Sequence, residues 1–392
     1  MATQSLGPIT SSDTALYRQG FSADLLYEGI IENPVVKVLQ ENGCINIETD
    51  LSKNQGGTVT LYNQPRLVGK GVRGDADMYS NATLTEVSNR TLSIAKVSKP
   101  ITYPLSKTQT QQYAAFKIDQ NNTDLLKDWV KGIVGHSIVN HIGGNNASSL
   151  TLPNPEDTFT GDDLLQVTGN NTVTAPSYWY SAGNQTVIST DASITTTHLL
   201  SLKDFQKAAE IISSQVAGKP TWQMLKSKPY YGVALVSTTG LNQMLNEAVT
   251  LGQGVQLQQV IQYQSAGGKD MNVMQPFMVP GIPFQFYAVP DTWLPRGVTT
   301  SGTTTKANSR RAIIVGSRAI DMAMGAGFSD GGGDPVAGVD IEVDTSYKPL
   351  NRFGYAKASI LWGCKKSQMT GPNSGATAYD TAAYVITHYS TT

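Results

Sequence analysis

Four histidines, two cysteines and a few clustered carboxylates are the side chains of this 392-residue chain best suited to bind a metal or activate a nucleophile. His136 and His141 stand five apart, about 140° around a helix, so they do not share a face as paired metal ligands would. His198 and His388 are isolated in the sequence. Cys44 and Cys364 lack CxxC spacing and are too few for a disulfide framework, which predicts reduced thiols and folding inside a cell. No HExxH, no GxSxG and no Cys/His pair at metal-ligand spacing occurs. Gly69-Lys70-Gly71 fails the phosphate-loop pattern, and Gly325-Ala326-Gly327 lacks the third glycine of a dinucleotide fingerprint. The acidic pairs Glu156-Asp157 and Asp162-Asp163 fall in turn-rich sequence, where solvated loops are the expectation. The residues therefore predict a protein that is not an enzyme, with no catalytic, cofactor-binding or metal site.

Composition narrows the remaining classes. Lys plus Arg is 29 against 30 Asp plus Glu, a net charge of -1, which offers no basis for tight non-specific nucleic-acid binding. Charged residues are only 15%, against about 25% in ordinary domains. Thr, Ser, Asn, Gln and Gly take their place. Long coiled coil, collagen and an acidic disordered tail are excluded. No run of 18 apolar residues and no basic-then-apolar leader occurs, so a soluble, unexported protein with no membrane partner is expected. The one basic concentration is Arg66, Lys70, Arg73, Arg90, Lys96 and Lys99; a solvated or partner-facing loop explains it as well as a nucleic-acid site does.

The elements that must carry these residues are mixed. Thr58–Leu61 and Thr91–Val97 alternate as strands, separated by a polar segment, Val68–Ser88, with too little apolar surface for its own core. Asn122–Ile142 reads as a helix with an apolar stripe of Leu125, Leu126, Trp129, Val130, Ile133 and Val134 opposite Lys127, Asp128 and Lys131. Asn122 or Thr123 should cap it, Gly143-Gly144 should stop it, and Gly132 and Gly135 suggest close backbone packing. Residues 145–200 read as a Thr/Asn-rich insertion holding the aromatic cluster Tyr178-Trp179-Tyr180. Ser201 with Asp204 opens a second helix, which Gly218 and Pro220 should end. Beyond it, strands are expected at Gly232–Val236, Phe284–Val289, Ala312–Val315 and Tyr355–Trp362, with helices at Leu241–Val249 and Ala319–Met324. Pro295–Lys306 and Phe328–Gly338 read as loops. The class is α+β.

Five segments in order carry a resemblance. They are Leu67 to Asp75 followed by Asn89 to Ile94; Leu125-Leu126-Lys127-Asp128-Trp129; Tyr230 to Val236 leading to Leu241; Ala312 to Ala319; and Asn351 to Lys366. Together they resemble the major capsid proteins of tailed phages, specifically the N-four-like podovirus family, over about residues 20 to 370. The resemblance implies the Hong Kong 97-type capsid fold. It would place the N-terminal arm and start of the peripheral domain at 1–54, an E-loop at 55–100, and the peripheral domain at 101–229. That domain would hold a spine helix at about 107–142 and the insertion at 145–200. The axial domain would be 230–340, and the peripheral return strand with a C-terminal tail 341–392.

It further implies a homo-oligomer of hexamers and pentamers, a separate scaffolding protein, a portal protein, room for a decoration protein, and only weak non-specific contact with packaged DNA. The location would be the virion shell, assembled in the bacterial cytoplasm. Another virion structural protein, of tail or surface layer, would share the composition but should be strand-dominated. A polysaccharide-active enzyme would need paired carboxylates and aromatic platforms, of which Tyr178-Trp179-Tyr180 is the sole hint.

Overall fold

The computed structural model describes residues 33–48, 58–63, 88–104, 118–144, 149–151, 158–160, 173–214, 222, 225, 228, 230–250, 276–279, 281–289, 294, 296–298, 305–325, 339–344, 353–370 and 378–390. The apolar run near the start forms helix α1 (Pro34–Glu41), with Asn33 capping the Val35 amide and Pro34 at the first helical position. Gly43, at φ +68°, turns the chain into β1 (Ile45–Glu48).

Strand β2 (Thr58–Asn63) pairs antiparallel with β3 (Ser88–Ser93), and β4 (Ala95–Pro104) follows after a single-residue break at Ile94. The continuous strand expected over 91–97 is thus two strands with different partners. Helix α2 (Ile118–Gly143) begins ahead of the expected caps, Asn122 or Thr123, and ends where Gly144 takes φ +65°. β5 (Ser149–Thr151) and β6 (Thr158–Thr160) form a small hairpin. β7 (Tyr178–Ser181) and α3 (Leu202–Ser213) precede β8 (Gly232–Ser237) and α4 (Thr238–Thr250). Helix α3 has the expected Ser201–Asp204 capping box but stops at Ser213, short of Gly218.

The remaining strands are β9 (Pro276–Met278), β10 (Phe284–Val289), β11 (Arg296–Val298), β12 (Thr305–Val315), β13 (Ile320–Met324), β14 (Val339–Asp344), β15 (Phe353–Lys366), β16 (Gln368–Thr370), β17 (Ala378–Asp380) and β18 (Ala383–Tyr389). Two sheets organise them. The larger runs β7-β18-β12-β8-β10-β9, with β11 also on β12. Its middle strands are buried along their length at 232–237, 312–315 and 383–388, as expected when both faces are covered. The late strand β18 thus lies between β7 and β12.

The smaller sheet centres on β15. At Trp362 that strand is flanked by Ala95 of β4 and Met324 of β13. β13 also pairs in parallel with β1. The helix expected at Ala319–Met324 is therefore a strand. Five residues are too short for periodicity to decide, and bonding on both edges overrides local preference. The loop expected over Pro295–Lys306 likewise holds β11 and the start of β12. Residues 328–338 lie outside the described ones.

Helix α2 packs on β15 and reaches β12, β13 and β18. Leu126, Val130, Ile133 and Val134 are fully buried and Trp129 is half-buried, whereas Leu125 is 59% exposed. Leu125 is thus not part of the buried stripe. Gly132 meets no atom within 4 Å of where a Cβ would stand, so the close packing expected there does not occur.

Candidate functional site

The described histidines and cysteines do not converge. His141 and His388 are buried on α2 and β18, and His136 is half-buried. His198 sits in a loop where its Nδ1 accepts from the Thr195 amide. No group of three or more His, Cys, Asp or Glu side chains that could hold a metal exists among the described residues. Both cysteines are free thiols in the interior, and burial pushes Cys44 up to about 12. The aromatic cluster is no saccharide platform. Tyr178, Trp179 and Tyr180 are buried in β7; both tyrosines stack on Tyr384, at 6.1 and 4.9 Å between centroids, and Trp179 Nε1 donates to Thr387. The acidic pairs 156–157 and 162–163 lie outside the described residues.

What stands out is a row of polar groups across the smaller sheet. Asn46 of β1, Asp321 of β13 and Lys365 of β15 are direct neighbours in register, so their side chains leave the same face. Alternate residues Ile320 and Met322 point the other way, into the main core. The β2–β3 hairpin lies over the polar row. Arg90 of β3 donates from Nη2 to Asp321 Oδ1 at 2.7 Å and puts Nε 2.5 Å from Oδ2, an ion pair with the carboxylate 1% exposed. Asn46 adds a bond to Asp321 Oδ1 at 3.2 Å, and Lys365 Nζ donates to the Thr91 carbonyl at 3.3 Å. Burial, with Arg90 close by, holds Lys365 below the ordinary lysine range, partly offset by Asp321. Leu61, Leu92 and Ile94 pack with Ala323 alongside, in a small cluster separate from the main core.

Arg90 is therefore not one of a set of free loop cations, as its place in the basic concentration suggested. Lys96 and Lys99 are exposed, and 64–87, with Arg66, Lys70 and Arg73, lie outside the described residues. Among the described residues β2 pairs with β3 alone, and Thr58, Thr60 and Tyr62 are exposed. Spacing alone could not have revealed the Arg90–Asp321 pair, because 231 residues separate its members.

Residues 10–260 match the family described as phage capsid protein. The chain belongs to that family. Its fold is similar to the capsid of Ralstonia phage GP4, with a TM-score of 0.65 at 14% identity over 90% of this chain and 89% of that one. The Cyanophage Pam1 capsid asymmetric unit is similar at a TM-score of 0.53 and 13% identity, over 89% of each chain. The capsid of Helicobacter pylori bacteriophage KHP30 is similar at 0.51 and 11%, over 89% and 88%. No curated protein matches the sequence. The architecture is the α+β, Hong Kong 97-type capsid fold, and the role is that of a structural protein of the virion shell rather than an enzyme.

Proposed function

We propose that this capsid protein assembles as hexamers and pentamers into the icosahedral head of a tailed, podovirus-type phage, enclosing double-stranded DNA. In this reading β2 and β3 are the base of an E-loop spanning 55–100, and α2 belongs to the spine region at 107–142. Residues 1–54, 101–229, 230–340 and 341–392 are the arm, peripheral domain, axial domain, and return strand with tail. The observation that carries the reading is the hairpin, pinned at its base by Arg90–Asp321 and, among the described residues, unpaired along the outer edge of β2. An open edge is a liability in a monomer and an asset where a neighbouring subunit covers it.

A separate scaffolding protein, a portal protein and, on the finished shell, a decoration protein are the partners, and assembly takes place in the host cytoplasm. Contact with DNA is weak and non-specific, in keeping with a net charge of -1, since gripping many phosphates would oppose ejection.

The test is deletion of Val68–Ser88, most of which lies outside the described residues. Circular dichroism should show a folded protein, and electron microscopy, with scaffold present, should show no closed shells. Normal shells from the deletion would overturn the hairpin's role. A stable monomer as the sole species of the full chain with scaffold, by ultracentrifugation, would overturn the assembly itself.

A further inference from the structure

We propose that Asp321 is a shared anion that latches the hairpin to the body of the subunit, and that Ile94 is the hinge about which the hairpin turns when the latch opens. The inference rests on the assembly role given to the hairpin above and names the residues that set its position.

One carboxylate, 1% exposed, pairs with Arg90 and stands beside Lys365 in register. Arg90 comes from the hairpin and donates to it; Lys365 comes from the strand paired with it in register. Lys365 bonds the Thr91 carbonyl, so β3 is held at Arg90 by Asp321 and at Thr91 by Lys365. The apolar contact alongside is small, being Leu61, Leu92 and Ile94 with Ala323. The chain gives the hairpin a pivot. β3 ends at Ser93 and β4 starts at Ala95, so Ile94 alone joins a strand paired with β2 to one paired with β15. Ile94 is held in place, since its Cδ1 lies 3.1 Å from where a Cβ on Gly325 would stand, and Leu361 lies closer still. Gly325 leaves the space that the Leu361 side chain fills, with Ile94 beside it.

This charge balance makes an asymmetric prediction. Asp321→Asn keeps the shape but leaves Arg90 and Lys365 facing each other without an anion, and like charges in a half-buried site push the hairpin away. Arg90→Gln leaves Asp321 beside Lys365, its register neighbour, and bonded to Asn46. The second change should therefore be milder, and adding it to the first should undo part of the damage.

Hydrogen exchange on the unassembled full chain reads this directly. In Asp321→Asn the amides of 58–63 and 88–93 should exchange about tenfold or more faster, while those of 383–389 keep the wild-type rate. Arg90→Gln should raise the hairpin rate by no more than about threefold, with the double variant close to it. Equal effects of the two single changes with no recovery in the double, or a uniform rise across the whole chain, would overturn the latch. If Asp321→Asn does not fold, recovery of folding in the double variant supports the shared anion and failure to recover overturns it. Micrographs of the same variants separate this from the assembly reading. Normal shells from a variant with a released hairpin would leave the latch standing and remove the hairpin's role in assembly.

Discussion

Arg311 Nη1 donates to the Gly143 carbonyl, in the last turn of α2, at 2.7 Å. A cation at a helix C-terminus meets unsatisfied carbonyls and the negative end of the helix dipole. The same guanidinium lies 2.5 Å from Asp191 Oδ2 and sits 4.6 Å above the Trp179 ring. It thereby fastens the long helix, the 190s loop and β7 to β12, and both charged side chains are at most 1% exposed.

Removing one member of such a buried pair strands the other. Arg311→Met should cost about 3–5 kcal/mol in denaturant unfolding, and Arg311→Lys should recover little, because one ammonium cannot hold both Asp191 and Gly143 with the same fork. Adding Asp191→Asn to Arg311→Met should recover part of the loss. A cost under 1 kcal/mol for the single change would show that the junction contributes little.

The buried stripe of α2 can be tested against its exposed neighbour. Ile133→Ala should cost about 2–5 kcal/mol through lost burial and a residual cavity. Leu125→Ala, at a largely exposed position, should stay within about 0.5 kcal/mol. Equal shifts in thermal midpoint would mean that the helix face is misassigned.

At the start of α3, Asp204 does more than cap. It accepts from the Ser201 amide, the Gly183 amide and Gln185 Nε2, tying the helix to the turn after β7. Ser201→Ala should cost about 0.5–2 kcal/mol as an ordinary capping loss. Asp204→Ala should cost more, since it leaves buried amides without acceptors. Chemical denaturation of both variants checks the order.

The two thiols give a pH test. The Cys44 thiol ionises near 12 in the fold against 9.0 for an ordinary thiol, so the unfolded chain loses its proton first. A raised folded value means stability is full below pH 9 and falls, by about 1.4 kcal/mol per pH unit from this group, as pH rises toward 12. Cys44→Ala should flatten that slope. At pH 8 neither cysteine should react with a thiol reagent until the protein unfolds, and rapid labelling of the native state would contradict the burial of both.

Much of this fold could be read in the residues. Phe284–Val289 and Gly232–Val236 are dense in apolar and β-branched residues and become strands at almost the expected bounds. Ser201 and Asp204 announce α3, because a capping box is a local device with a local signal. Misreadings cluster where distant partners decide. Ala319–Met324 alternates too briefly to exclude a helix until β1 and β15 bond its edges. Leu125 has helical spacing with the stripe yet falls at its margin. The polar row of Asn46, Asp321 and Lys365, with Arg90 above it, draws on four separate stretches of chain, and no spacing rule joins them.

The position of β18 has a consequence for synthesis. β12 is complete at residue 315, but the strand that covers one of its edges starts at 383. At a translation rate of ~5–20 residues per second, a ribosome needs roughly 3–14 s to cross that interval. During those seconds the nascent subunit carries β8 on one side of β12 and bare backbone on the other. The hairpin of β2 and β3 has already been made. Unfinished chains on neighbouring ribosomes of one messenger are thus the species most exposed to pairing with one another, and arrival of 383–389 ends that interval by filling the gap from within.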